Sequence, residues 1–598
     1  MTCRLSKTSL TSFCGDVLPL FLVSDEDITH AEIGWSVAGD AVTLRSFAGD
    51  GSTDISHGVL LTFQKCGNAV VTAVLAGRQY CCNVTVRERK QAGPSDPLRF
   101  YVGDMHAHTS NIHKADLFAD KGCEYPIDMI RQIRDENLID FSVVTDHAGV
   151  TNKRDFFRGF TDTEDAQPME LVMFPGSESE VTVIETDRFG LTHKNSGEIV
   201  CLNVDNFVDT DNWQRFYSEM ENGDFAVCIL AHPQVMGWDR NGIWNFSLHK
   251  NNTPQLKHLI KGVEMGNGGD RGSNPINEYV YSVALDNGFR VSCTCASDSH
   301  GPVWGADAMP GRTVLLATDK SREAFLDALL ARRFYACESG NLKLRYWVNG
   351  AAAPAELADT ERYCFRVELS CFRDDPSTVP VKCQVISDYG RTVKVIENVD
   401  FGSFDFTVES NSARYFYLRF VDAMGRRTWS MPVWTGRACT GTAVSELTAL
   451  DKSGFTVTEA GVDAAILINN DPYDAWSSKG PTAEIVIDLG REQEISGLGY
   501  YPPRFVMRQI LDSGMSVSDI VTRFASGYAV YTSSDGIEYR KCADGILRVF
   551  GGEEVIIFPA HRTRFVKFEV LSTTGKACEL PQYAENNVMI GELTVYGP

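Results

Sequence analysis

Histidines are unevenly placed in this chain: of twelve, nine lie between His106 and His300. Several stand where strand-like apolar runs stop. Asp104-Met-His106-Ala-His108 closes the run LRFYVG, and an i, i+2 spacing on a strand turns both imidazoles to one face, where they can share a metal ion. Later runs end at Thr145-Asp146-His147, Gly176-Ser-Glu178, Ala231-His232-Pro233 and Ser297-Asp298-Ser299-His300, while His193 is expected in a loop before another run. A lone strand-end histidine is most often an ordinary hydrogen-bonded polar residue, Asp146 would serve equally well in a turn or a helix cap, and His232 could simply end its strand before Pro233. Five strand ends that each carry His or Glu are much harder to explain one by one. Together they predict one polynuclear metal site. His249 and His258 lie in a polar stretch with no strand end nearby and read as surface residues.

Imidazole and carboxylate without thiolate suit Zn²⁺, Mn²⁺ or Fe²⁺. Several such cations close together lower the pKa of a bound water to about 7 and stabilise charge on a phosphoryl or carbonyl oxygen. The implied chemistry is hydrolysis at neutral pH, and no G-x-S-x-G nucleophile elbow is present to compete with it. Asp104 and Asp146, each beside expected ligands, are candidates to orient imidazoles as acceptors. Arg312, Lys194 and Arg271 are candidates for holding a substrate anion, with an ordinary surface role equally open for each.

Residues 98–340 must position these groups. Apolar runs (LRFYVGDM, IDFSVVT, LVMFPG, EIVCLNV, FAVCILA, KGVEMG, RVSCTCAS) alternate there with helical patterns at Pro126 to Asn137, Trp213 to Asn222 and Ile276 to Asn287, and a last helix opens at the N-cap Ser321. In parallel α/β folds the carboxyl ends of strands converge on one rim, which would gather the residues above. Residues 1–92 read as short alternating strands, a β-sandwich, followed by the linker Gln91 to Pro97. Residues 341–437 and 440–598 return to β patterning. A length of 598 residues, at roughly 150 per domain, excludes a single core.

Charge and composition exclude other classes. Asp and Glu number 79 against 56 Lys and Arg, a formal net charge of −23, which argues against a general grip on nucleic-acid phosphates. No stretch approaches the roughly 18 apolar residues of a spanning helix. No export signal is evident, so a cytoplasmic location is expected, with a secreted or cell-surface location after leader removal as the alternative. Seventeen cysteines, an odd number without repeated spacing, argue against a disulfide framework.

The order GDMHAHT, VVTDH, FPGSE, THKN, AHP, ASDSH resembles the PHP (polymerase and histidinol phosphatase) superfamily of metallohydrolases. The closing segment Ser297-Asp-Ser-His-Gly301, Gly311-Arg-Thr313, Arg322-Glu-Ala-Phe325 through Arg333-Phe-Tyr-Ala336 extends the likeness over about 240 residues. The resemblance implies a distorted (β/α)7 barrel with two or three divalent metal ions at its C-terminal rim. It implies His106, His108, Glu178 and Asp298 on one ion, Glu178 bridging to a second held by His193 and His232, and a third on His147 and His300. The remaining ligand of the third would come from the loop after His108, with His113, Asp116 and the more remote Glu124 as alternatives. Glu180 competes with Glu178 for the G-x-E role.

Residues 1–92 resemble bacterial immunoglobulin-like (group 2) modules through ITHAEIGWSV and LTFQKCGNAVVTAVLAGRQYCCNVTV. Residues 440–598 resemble a discoidin-type (coagulation factor type C) jelly roll through Asn470 to Ser478, Glu484 to Gly490, Gly499 to Arg504, Thr532 to Gly536 and Arg564 to Glu569. That likeness implies a carbohydrate ligand, although Trp476 fits a core position as well as a sugar platform. The expected whole is a multidomain chain, a metallohydrolase barrel flanked by all-β domains, acting on a phosphoester of a small or glycan-linked substrate. A carboxyl- or carbamoyl-ester or amide hydrolase with the same metals is the alternative enzyme. A non-catalytic glycan-binding protein is the alternative class.

Overall fold

The computed structural model describes residues 2–26, 28, 31–46, 58–93, 95–109, 126–148, 171–186, 192–203, 213–220, 227–233, 259–268, 274–301, 303–306, 311–437, 447–504, 514–515, 517–548 and 553–598. At the N-terminus, strands with a polarity period of two bury one side each and therefore stack as two sheets. One sheet orders β1 (Cys3–Leu5), β3 (Val17–Ser24), β6 (Gly58–Phe63) and β5 (Val42–Ser46). The other orders β2 (Ser9–Phe13), β8 (Arg78–Arg87), β7 (Gly67–Leu75) and β4 (Gly34–Ala38). Leu20, Leu61 and Phe63 from the first meet Val71, Ala73 and Val84 from the second in one core.

The next strands carry the expected metal ligands. β9 (Arg99–Gly103), β10 (Phe141–Val144) and β11 (Val172–Thr186) run parallel. β11 then forms a long antiparallel hairpin with β12 (Thr192–Leu202), and β12 pairs antiparallel with β13 (Val227–Leu230). β13, β14 (Ile260–Asn267) and β15 (Ser292–Ala296) are parallel again. β10, β13 and β15 are buried at every position, which is why they read as unbroken apolar runs. The described helices are α1 (Pro126–Glu136), α2 (Trp213–Met220), α3 (Asn274–Asp286) and α4 (Arg322–Leu330), with two short ones near the C-terminus. Ser321 caps α4 as expected, its hydroxyl accepting from the Ala324 amide at 3.2 Å.

A strict alternation of strand and helix is not what these residues form. The segment T-H-K-N-S-G, expected as a loop holding His193, pairs residue by residue with positions 181–186 and becomes part of the β11–β12 hairpin. Its backbone groups are satisfied there without a crossover helix. Two glycines set the close approaches: a Cβ at Gly103 would collide with the Phe141 carbonyl, and one at Gly176 with that of Cys201. Beyond β15 the chain turns against the end of β9, where Ala107 and Ser299 form a parallel bridge, so the two outermost of these seven strands meet at one rim.

On its other side β9 pairs with β16 (Arg312–Ala317), which pairs with β17 (Phe334–Cys337). From β17 the same sheet continues through Arg427–Trp429, Tyr415–Asp422 and Pro380–Ser387 to Arg391–Glu397, crossing the expected boundary at 340 without a break. A four-stranded sheet that includes Leu342–Val348 and Arg362–Cys371 shares a core with it. Residues from 447 onward build an eight-stranded sheet around a core of their own. The chain is thus β-rich and multidomain, with few helices.

Buried polar joints link these parts. Arg419 donates to Glu278 on α3 at 2.8 Å, to Gln384 at 3.0 Å and to Glu579 near the C-terminus at 2.5 Å. Arg427 adds a bond to Glu278 at 3.2 Å. Arg548 reaches Asp286 at the end of α3 at 3.1 Å, and Asp286 also accepts from Arg414 at 2.9 Å.

Candidate metal centre

Backbone pairing continues past the strand ends and fixes the ligand-bearing segments to one another. His108 donates its amide to the Ser299 carbonyl at 3.0 Å, Asp298 to that of His106 at 2.9 Å, Thr145 to that of Ala107 at 3.0 Å and Glu178 to that of Asp146 at 3.2 Å. Asp298 adopts φ +45°, a left-handed conformation that Asp tolerates better than most residues. Asp104 accepts from the amides of His106 (3.3 Å) and Ser297 (3.0 Å), and Asp146 from the amide (2.6 Å) and hydroxyl (2.8 Å) of Thr109. These bonds tie each aspartate to a ligand-bearing loop, Asp104 through two backbone amides and Asp146 through Thr109.

Glu178 is the hub and is 1% exposed. Its Oε1 lies 3.2 Å from His106 Nε2 and 3.0 Å from His232 Nε2, and its Oε2 lies 2.9 Å from His147 Nδ1 and 3.4 Å from His108 Nε2. Asp298 Oδ1 is 3.0 Å from His108 Nε2 and 3.4 Å from His106 Nε2. His147 and His300 approach through their Nε2 atoms at 3.4 Å. Among the described residues, four sets of three converge tightly enough to ligate a cation: His106, His108, Glu178; His106, His232, Asp298; His108, His147, His300; and His147, Glu178, Glu198.

The electrostatics follow from dense charge in a dry place. Burial alone would depress the imidazoles, but carboxylates outweigh it at three of them. Asp298, Glu178 and Glu264 hold His106 well up, and Glu178 with Glu198 lifts His147 to about 9 and His232 to about 10. His108, beside His147, is pushed down to about 3 by burial and that neighbour. Glu178 resists the upward push of burial because His106 and His147 hold it well below the carboxylate range. Glu198 is raised, by burial first and then by Glu178.

These shifts carry a sign. A histidine whose folded pKa is raised contributes stability that is present below its unfolded value near 6.5 and lost as pH rises through its folded value. The metal-free protein is therefore expected to lose thermal stability between pH 7 and 10, as His147 and His232 shed protons. Metal-loaded protein, whose ligands are already deprotonated, should show no such fall. Thermal midpoints measured across that range with and without chelator check this.

Of the expected ligands, the structure gathers His106, His108, His147, Glu178, His232, Asp298 and His300. His113, with its alternatives Asp116 and Glu124, lies outside the described residues, as do Arg271, His249 and His258. His193 is not brought in by the backbone: its Cα pairs with Glu185, seven register positions from the Glu178–Val200 pair, or about 23 Å along the hairpin. Lys194 pairs with Ile184, six positions from the same pair, or about 20 Å along the hairpin. Glu180 lies two pairs beyond Glu178 on the same strand face and belongs to none of the four sets. Arg312 is 4% exposed and donates to the carbonyls of Gly311 (2.7 Å) and Ala306 (2.9 Å).

Two residues were missed. Glu198, opposite Glu180 on β12, stands where His193 was expected, its oxygens 4.0 Å from His147 Nδ1 and 3.5 Å from His232 Nε2. Glu264 on β14 is 1% exposed, receives His106 Nδ1 at 3.3 Å and accepts from the His232 amide at 2.7 Å. The available signal was a lone acid inside the buried run KGVEMG, because an acid there requires partners. Glu264→Ala is expected to weaken divalent metal binding about 10–100-fold, and Glu264→Gln, which keeps an acceptor, to lose less. Competition against a chromogenic chelator measures both.

The residues fit a metal. His106 Nε2 and His108 Nε2 face each other at 3.1 Å, although each carries a lone pair when it is free to ligate. His108 Nδ1 is buried without a hydrogen bond. The four sets contain imidazole and carboxylate and no thiolate, the donor mix of a borderline divalent cation.

No protein-family model matches the chain, and no curated protein matches it. Among solved structures, the chain is similar to a two-domain protein from Bacteroides vulgatus containing a predicted PHP-like metal-dependent phosphoesterase (13% identity over 56% of this chain and 94% of that one, TM-score 0.29). It is similar also to the Clostridium perfringens module CpGH89CBM32-5 solved with GalNAc-β-1,3-galactose (18% identity, 25% of this chain and 99% of that one, TM-score 0.20). A third similarity is to the family 32 carbohydrate-binding module of C. perfringens NanJ, solved with galactose (16% identity, 25% of this chain and 98% of that one, TM-score 0.20).

Proposed function

We propose that the chain is a metal-dependent hydrolase that cleaves phosphoesters, built as a PHP-type distorted barrel at 98–340 between an immunoglobulin-like module at 1–92, a β-sandwich at 341–437 and a discoidin-like module at 440–598. The observation that carries this reading is the convergence of five imidazoles and three carboxylates around the buried Glu178. Two or three divalent ions would be held by His106, His108, His147, Glu178, Glu198, His232, Asp298 and His300. When bound, they would supply a water nucleophile at neutral pH and charge stabilisation for an anionic oxygen. The chain's own residues do the positioning: Glu264 orients His106, while Asp104 and Asp146 hold the ligand loops in register. A phosphoester is favoured over a carboxyl ester because five of the six resembling motifs, all but THKN, fall on these same residues. The C-terminal module, in this reading, takes a glycan and keeps the barrel near glycan-linked substrate.

Metal analysis of the purified protein, followed by hydrolysis of nitrophenyl phosphate, bis-nitrophenyl phosphate and nitrophenyl acetate, tests the proposal. Bound divalent metal with turnover of a phosphoester is expected. Preference for acetate would select the carboxyl-ester alternative. Absence of metal, or full activity in His106→Ala, would defeat catalysis altogether.

A further inference from the structure

We propose that Cys14 and Cys66 are a modification site, a thiol pair that closes into an intramolecular disulfide on exposure to a small-molecule disulfide such as oxidised glutathione. The two residues are 52 positions apart, yet their Sγ atoms stand 3.8 Å from each other. Cys14 occupies the turn after β2 and is half-buried; Cys66 occupies the turn between β6 and β7 and is exposed. Both turns are held in place: the Cys14 amide donates to the Arg87 carbonyl at 3.0 Å and the Gly15 amide to that of Phe63 at 2.8 Å. An S–S bond of about 2.05 Å asks the two sulfurs to close by about 1.8 Å. Arg89 donates to the Cys14 carbonyl at 3.1 Å, and its guanidinium only partly offsets burial and the Cys66 sulfur, which push the Cys14 thiol up, so Cys14 takes the second, resolving step.

The exposed Cys81 and Cys364 differ, since the neighbours seen at their sulfurs are the hydroxyls of Thr72 and Thr407. The buried Cys201 and Cys228 face each other on β12 and β13, where a soluble oxidant has no access.

The exchange balances. A Cys66 thiolate attacks one sulfur of the glutathione disulfide and expels a glutathione thiolate, leaving a mixed disulfide. The Cys14 thiolate then attacks the Cys66 sulfur and expels the second glutathione. Two protein thiols give up two protons and two electrons, and one small disulfide becomes two thiols.

The location gives the bond a consequence. The Gly15 carbonyl accepts from Asn203 Nδ2 at 3.2 Å at the end of β12, and Val17 and Leu60 share a core with Val181 and Ile199 of the β11–β12 hairpin. The disulfide would staple the edge of the N-terminal module that leans on the strands bearing Glu178 and Glu198.

The test uses the full chain under native conditions, equilibrated with oxidised glutathione, then alkylated, digested and weighed. Expected are an intact mass lower by about 2 Da, a linked Cys14–Cys66 peptide and reversal by a dithiol reductant. Cys14→Ser should trap a stable glutathione adduct on Cys66, because nothing remains to resolve it. The proposal is overturned if both thiols stay alkylatable in the native wild-type chain, if wild-type Cys66 retains its adduct, or if either sulfur is found linked elsewhere.

Discussion

Glu178→Gln is expected to yield a folded protein that holds divalent metal at least about a hundredfold more weakly and loses hydrolysis in proportion. The floor comes from partners that merely orient ligands, whose removal costs about 10–100-fold, and Glu178 does more than orient. Its two oxygens reach His106, His232, His147 and His108 within 3.4 Å. It belongs to two of the four ligand sets. Gln preserves volume and one acceptor but removes the charge that keeps His147 and His232 raised. Loss of metal with an unchanged circular dichroism spectrum is the expected pair of results. Wild-type metal affinity in the variant would remove Glu178 from the centre of the site.

Glu278→Gln should cost about 3 kcal/mol of stability at neutral pH, the lower end for breaking a buried ion pair. Glu278 and Arg419 have side chains only 7% and 5% exposed, so the substitution leaves the guanidinium without its closest partner in the interior. Arg419 keeps Glu579, which holds the loss toward the lower bound. Burial pushes the Glu278 carboxyl up, but Arg419 and Arg427 pull it further down, so its folded pKa lies below the ordinary 4.5. A depressed carboxyl contributes stability above its unfolded pKa and forfeits it as pH falls through the folded value. The gap between wild type and variant should therefore stay constant from pH 7 to about 5 and close below pH 4.5. Denaturant unfolding at a series of pH values reads it, and a gap that does not narrow at all between pH 5 and pH 3 would contradict this account.

Much of the site was legible because strand ends announce themselves. An apolar run that stops at His, Asp or Glu marks the rim of a sheet, and seven of the expected ligands meet there. What stayed hidden depends on pairing across space. His193 and Glu198 lie on the same strand five residues apart, and only the register with β11 decides which of them stands beside Glu178. Glu264 sits inside a strand rather than at its end, so a rule built on termini passes over it. Asp104 and Asp146 adjoin ligands in sequence, but their bonds to Ser297 and Thr109 join segments that only the closed rim brings near. The β-rich modules were legible through their period of two. The continuity of one sheet from β9 to Arg391–Glu397 was not, because strands pairing across a domain boundary leave no mark in either segment.

The joints at Arg419 and Arg548 tie α3 to strands of the central sheet and to the C-terminal module at once. A substitution at either arginine would therefore be felt in three parts of the chain together, so the central sheet, α3 and the C-terminal module should loosen as one unit and not singly.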